Sequence, residues 1–229
     1  MKYFTLIILL SFAQNSYGQE IESVPEEIYV DNTYPEGIYR TYRSFQRKTP
    51  NSTKVVEARN VFKPKQKITD PFIDNCYFNY KRPDKRVKDV FAISYNGSLY
   101  LSVKAMKKMM EGKDKKQQID FKDSFLRVVD QGRYLYLEGY FSKRGGIGIG
   151  IGIGLGPVAA GTGGNRSGAR EEMKGLVFDF DREIFELFRD CPDFRDWLDE
   201  YNPQSPIDCD SKRLPMEFVR EIIFELNAL

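Results

Sequence analysis

The sequence predicts an α+β fold, an antiparallel sheet built from β-hairpins and packed by C-terminal amphipathic helices. Three observations carry this. Two β-rich runs, 90–95 and 98–103, flank Asn96-Gly97, the preferred pair for a type I′ hairpin turn. A second pair of runs, 125–129 and 133–141, is joined through Asp130-Gln131-Gly132. Near the C-terminus, Phe194, Trp197, Leu198 and Tyr201 recur at i, i+3, i+4 and i+7, one stripe of an amphipathic helix.

The remaining elements follow in chain order. Residues 34–50 read as a short strand turning into a helix, with Thr41 as N-cap, Phe45 facing inward and Pro50 as the stop. Candidate strands follow at 54–62 and 72–80, separated by a turn region containing Lys and Pro. The Met- and Lys-rich stretch 104–116, between the two hairpins, reads as a short exposed helix. Residues 175–181 and 184–188 extend the sheet. Asp193 in the first turn of the aromatic helix complements its macrodipole. A last helix spans 215–226, with Phe218, Val219, Ile222, Ile223 and Leu226 inward.

Ahead of this domain, Lys2 is followed by the uncharged, largely apolar run 3–13 and a polar stretch up to Gln19. That is the pattern of a secretory signal peptide. Ser16-Tyr17-Gly18 and Ser11-Phe12-Ala13 both fit the small-x-small rule, and cleavage between Gly18 and Gln19 leaves a polar spacer. The expected organisation is a signal peptide at 1–18, an acidic segment at 19–33 and one domain at 34–229, interrupted by a Gly/Ile-rich loop at 145–168. Export permits disulfides. The three cysteines allow Cys76–Cys191, Cys76–Cys209 and Cys191–Cys209. The last is the candidate: it would tie the two C-terminal helices together, and its loop is worth about 3 kcal/mol on the chain-entropy argument.

Net charge is only +2 over 229 residues, and it conceals a strong segregation. Residues 19–38 carry −6, residues 39–170 carry +16, and residues 171–229 carry −9. A basic middle attracts anionic lipid, acidic polysaccharide or nucleic acid, and export argues against the last. The other reading folds the acidic ends against the middle and neutralises it. Histidine is absent, which removes Ser-His-Asp triads, Cys-His dyads and His-ligated zinc.

Residues 145–165 hold ten glycines and no charge. A P-loop needs a Lys-Ser or Lys-Thr that does not follow, and the G-x-G-x-x-A match at Gly154, Gly156 and Ala159 is broken by Pro157. Glycine costs more helix propensity than the apolar side chains gain, so a transmembrane helix fails. The Gly/Ile alternation has strand period and puts Ile147, Ile149, Ile151, Ile153 and Leu155 on one face. Such a run is a flexible loop or a contact for membrane or a partner's sheet edge. Two acid pairs, Asp179 with Asp181 and Asp208 with Asp210, have the alternation that places carboxylates side by side for hydrolysis. No supporting motif accompanies them, and no cofactor, metal or nucleotide site is expected.

The segment GIYRTYRSFQRKTP, with Gly37-Ile38-Tyr39, Thr41, Phe45 and Pro50, resembles the opening of uncharacterised exported proteins common in Bacteroidota. So does the order SYNGSLYLSV, GRYLYLEGYF, a glycine-rich spacer, GLVFDFDREIF and a helical tail. The resemblance implies a Gram-negative envelope setting, periplasmic or associated with the outer membrane, and carries over no catalytic or binding residue. The leading expectation is an exported, non-catalytic envelope protein that touches membrane or an envelope partner through the Gly/Ile run and the basic middle. The alternatives are an envelope hydrolase using paired carboxylates and a structural protein with a disordered glycine loop.

Overall fold

The computed structural model describes residues 33–68, 74–119, 121–142, 172–202, 207–209 and 211–228. The expected cleavage site at Gly18 and Gln19, residues 19–32, and Ile147, Ile149, Ile151, Ile153 and Leu155 lie outside them.

The fold is α+β. Strand β1 (Gly37–Tyr39) leads into helix α1 (Tyr42–Gln46), which opens as expected with a capping box. The Thr41 side chain accepts from the Ser44 backbone N–H, and Ser44 returns the bond to the Thr41 backbone. Phe45 is fully buried. The helix ends earlier than the Pro50 stop predicts, because Lys48 turns left-handed at φ 48°.

Strands β2 (Val56–Asn60), β3 (Asn75–Tyr80) and the two-residue β4 (Lys85–Arg86) form one antiparallel layer. Strands β5 (Ala92–Tyr95) and β6 (Ser98–Ser102) make the predicted hairpin. Asn96 and Gly97 take φ 49° and 75°, the double left-handed turn that this dipeptide suits. Strands β7 (Gln118–Ile119), β8 (Phe125–Gln131), β9 (Tyr134–Ser142), β10 (Glu172–Asp179) and β11 (Ile184–Leu187) continue the sheet. Its main order is β1-β5-β6-β8-β9-β10-β11.

The sheet divides at β8. Phe125 and Leu126 pair with β3, while Val128 to Gln131 pair with β9 across a register shift. Both faces of the strands are covered, so their sequences read as continuous apolar runs rather than polar alternation. On β9, Leu135 and Leu137 enter the central core with Phe45, Phe91, Met106 and Phe178. Tyr134 and Tyr136, on the other face, meet helices α3 (Cys191–Tyr201) and α4 (Met216–Ala228). A third cluster fills the space between the β2–β3 layer and β5–β6, around Phe78, Ile93, Tyr100 and Phe125.

Helix α2 (Val103–Met109) corrects one expectation. It stops at Met109 instead of running to residue 116, and a single 3₁₀ turn follows at Asp114–Lys116. Nor is it simply exposed: Met106 and Met110 are buried in the central core while the lysines face outward. The aromatic stripe of α3 and the apolar stripe of α4 pack inward, except that Phe218 stays 36% exposed.

Candidate functional site

Strand register decides which sequence features meet. Cys76 lies opposite Phe125 and Asn75 opposite Leu126, so β3 advances past the Phe125 end of β8 as it runs to Tyr80. β9 is also antiparallel to β8, with Leu137 opposite Val128, and it advances toward the same end. The turn after β3 and the point where the chain leaves β9 therefore share one end of the sheet. β2 starts there as well, since Val56 pairs with Tyr80, and α2 starts there through Val103 N–H donating to Ser124 O at 3.0 Å.

That end is rich in cations. Lys54 precedes β2, Lys81, Arg82 and Lys85 flank the β3–β4 turn, and Lys122 precedes β8. All are exposed, and none forms an ion pair among the described residues. Lys88 and Lys104, also at this end, are engaged by Asp123 at 3.0 Å and by Asp89. In sequence, Lys143 and Arg144 follow directly after β9. The chain leaves beyond Phe141 and returns at Glu172, its partner in the β9–β10 ladder. The Gly/Ile run is thus carried by a hairpin whose two arms are closed below it.

The opposite end of the sheet carries acids. Asp130, Asp179, Asp181 and Glu183 cluster around the β8–β9 and β10–β11 turns, with Arg133 and Arg182 among them. Arg133 to Asp181, at 3.8 Å, is the ion pair among the described residues that sets a base of the middle block against an acid of the C-terminal block. Arg189–Asp114 and Arg220–Glu138 join the blocks in the reverse sense. Within the described residues, then, direct ion pairs between C-terminal acids and the basic middle are few.

The carboxylates do not assemble as the sequence suggested. Asp179 and Asp181 were expected to point the same way along a strand, but β10 ends at Asp179. Its Oδ1 accepts from the backbone N–H of Asp181 at 2.7 Å and of Arg182 at 3.1 Å, and this turn cancels the alternation. Asp179 Oδ2 accepts from Tyr201 Oη at 2.7 Å, and Asp181 faces solvent. Asp210, partner of the other expected pair, lies outside the described residues.

Two carboxyls that sequence patterns did not single out are raised. Burial raises Asp114 above its ordinary range, opposed by the Leu187 N–H at 3.1 Å and by Arg189. Burial likewise raises Glu186, opposed by Arg182 at 2.6 Å. An open groove of about 620 Å³ lies between the end of α2 and the β10–β11 turn, lined by Lys108, Glu111, Lys115, Arg182 and Glu183 among others. Neither perturbed carboxyl lines it. No group of three His, Cys, Asp or Glu able to hold a metal ion is found among the described residues.

The candidate disulfide is formed: Cys191 and Cys209 are bonded, with Cα atoms 5.7 Å apart. It ties the first residue of α3 to the connection leading into α4, so Cys191 is not a free thiolate. Cys76 is a buried free thiol whose pKa burial pushes up. No helix among the described residues is long and apolar enough to cross a membrane.

No protein-family model, curated protein or solved structure matches the chain.

Proposed function

We propose that this chain is an exported cell-envelope protein that works by contact rather than catalysis. It meets a membrane or an envelope partner through the end of the sheet where the basic residues and the Gly/Ile excursion emerge together. The observation that supports the reading is the register of β3 and β9 on β8, since both strands run toward the Phe125 end of β8. Cations at that end without an ion pair attract an anionic surface. The alternating Ile147, Ile149, Ile151, Ile153 and Leu155 supply an apolar contact next to it in the chain. Export is supported by the signal-peptide pattern and by a disulfide, which suits an oxidising compartment.

Fractionation of expressing cells tests this reading. The full chain is expected with the envelope membranes, and a variant lacking residues 145–165 is expected in the soluble envelope fraction. Unchanged partition of the deletion variant removes the contact role of the Gly/Ile run.

A further inference from the structure

We propose that the end of the β2–β3–β4 layer is a docking tip for an anionic lipid bilayer. Val55 is the residue that enters the interface, and Lys54, Lys81, Arg82 and Lys85 meet the headgroups. The inference rests on the envelope reading above and names the surface and its ligand. Val55 is 65% exposed, more than Tyr140 at 40% or Phe218 at 36%. Its place is fixed, since the Lys81 backbone N–H donates to Val55 O at 3.0 Å. Lys54 Nζ lies 5.9 Å from the centroid of the Tyr80 ring, on the strand position paired with Val56 and Lys85. One protruding aliphatic side chain therefore shares this end of the layer with four exposed cations.

Two acids lie beside this tip, and both are engaged by other groups. Asp84 Oδ1 accepts from Asn79 Nδ2 at 2.7 Å and from Arg59 Nη2 at 3.3 Å. The Asn79 hydrogen bond, helped by Arg59 and Lys67, holds its carboxyl below the usual range. Glu57 is engaged by Lys67 at 2.8 Å and Arg59 at 3.0 Å. Glu57 also feels Lys81, so the four cations are partly offset and stay in excess of the two acids. An isolated exposed aliphatic residue needs no explanation by itself. Beside an excess of cations it selects the ligand: a soluble polyanion satisfies the charges and leaves Val55 wet, whereas a bilayer surface takes both.

The test is cosedimentation of the mature chain with vesicles of phosphatidylglycerol and phosphatidylcholine, beside vesicles of phosphatidylcholine alone. Binding is expected only with the anionic lipid and is expected to weaken with added salt. The pair Lys81→Glu and Arg82→Glu is expected to lower partition by roughly 25-fold or more, at roughly fivefold per cation. The pair Lys63→Glu and Lys65→Glu makes the same change in net charge beyond the other end of β2. That is about 17 Å away along the strand, beyond a screening length of about 8 to 10 Å. It is expected to change partition by less than about threefold. Val55→Asp is expected to weaken binding, and Val55→Leu to retain it, with thermal unfolding showing all variants folded.

Equal losses from the two charge-reversal pairs overturn the tip in favour of diffuse attraction. So does binding that ignores Val55 or lipid charge, or no binding at all. Failure here with the chain still in the membrane fraction refutes the tip and leaves the envelope reading to a protein partner. Vesicle binding by a chain that cells do not export refutes the envelope reading instead.

Discussion

Phe141 and Glu172 are direct neighbours in the β9–β10 ladder, although thirty residues lie between them in the chain. The β9–β10 pairing is closed without residues 145–165. Deleting residues 145–165 is therefore expected to preserve the fold and to stabilise it by about 1 kcal/mol through the shorter loop. Urea unfolding of the deletion variant checks this, and a loss of stability contradicts it.

Glu138 sits on β9 beneath α4, 8% exposed at its side chain, and takes Arg220 in a two-pronged pair at 2.6 and 2.7 Å. Tyr136 Oη donates to the same carboxylate at 2.8 Å. Arg220→Ala leaves this buried carboxylate short of its partner and is expected to cost about 2–3 kcal/mol, the low end for such pairs because Arg220 is partly solvated. Replacing both residues together, Glu138→Leu with Arg220→Met, is expected to cost less than the single change. A double-mutant cycle followed by urea unfolding decides this.

Asn227, near the end of α4, closes the β8–β9 turn. Its Nδ2 donates to Asp130 Oδ2 at 2.7 Å and Tyr134 O at 3.1 Å, and its Oδ1 accepts from Tyr134 N–H at 2.8 Å. Gly132 makes room for it, since a Cβ there would stand 2.5 Å from Asn227 Cβ. Gly132→Ala is expected to destabilise by about 1–3 kcal/mol through overpacking. In the Asn227→Gly background the same glycine change is expected to cost less, because the Cβ that it would meet is gone together with the rest of the side chain. Additive losses contradict the contact.

The part of this architecture that was legible in the sequence is local. Thr41 announces its helix because a capping box is made within four residues, and Asn96-Gly97 announces its turn because the dipeptide tolerates both left-handed positions. The stripe from Phe194 to Tyr201 shows which face of α3 is buried. What escaped depends on distance along the chain. β4 is only Lys85 and Arg86, with no apolar period to find. Glu138 and Arg220 are 82 residues apart, and Tyr134 and Asn227 are 93 apart. Asp179 misled for a different reason: its carboxylate competes for the backbone and ends the strand that the alternation assumed. The charge blocks were visible, but which of their members meet at one end of the sheet follows from the double pairing of β8, which composition does not encode.

The Glu186 carboxyl is held above its ordinary range by burial. A carboxyl raised on folding contributes stability while protonated and loses that contribution as pH rises through its folded value. Glu186→Gln mimics the protonated form. The melting temperature of the variant relative to the parent is expected to rise between about pH 4 and pH 7. A difference that stays flat or falls across that window contradicts the assignment.

The cysteines separate by accessibility. With Cys191 and Cys209 bonded and Cys76 buried, a thiol reagent is expected to find no reactive group in the native chain and one after denaturation without reductant. Cys209→Ser is expected to cost about 3 kcal/mol. A thiol that reacts in the native state, or a variant as stable as its parent, contradicts this.

The most direct measurement for the shared basic end is membrane fractionation with salt extraction of three chains side by side. These are the parent, the variant lacking residues 145–165, and the same deletion with Lys81→Glu and Arg82→Glu. The account predicts that the parent stays in the membrane pellet, the deletion variant is held only at low salt, and the combined variant is soluble throughout. Identical partition of all three contradicts it.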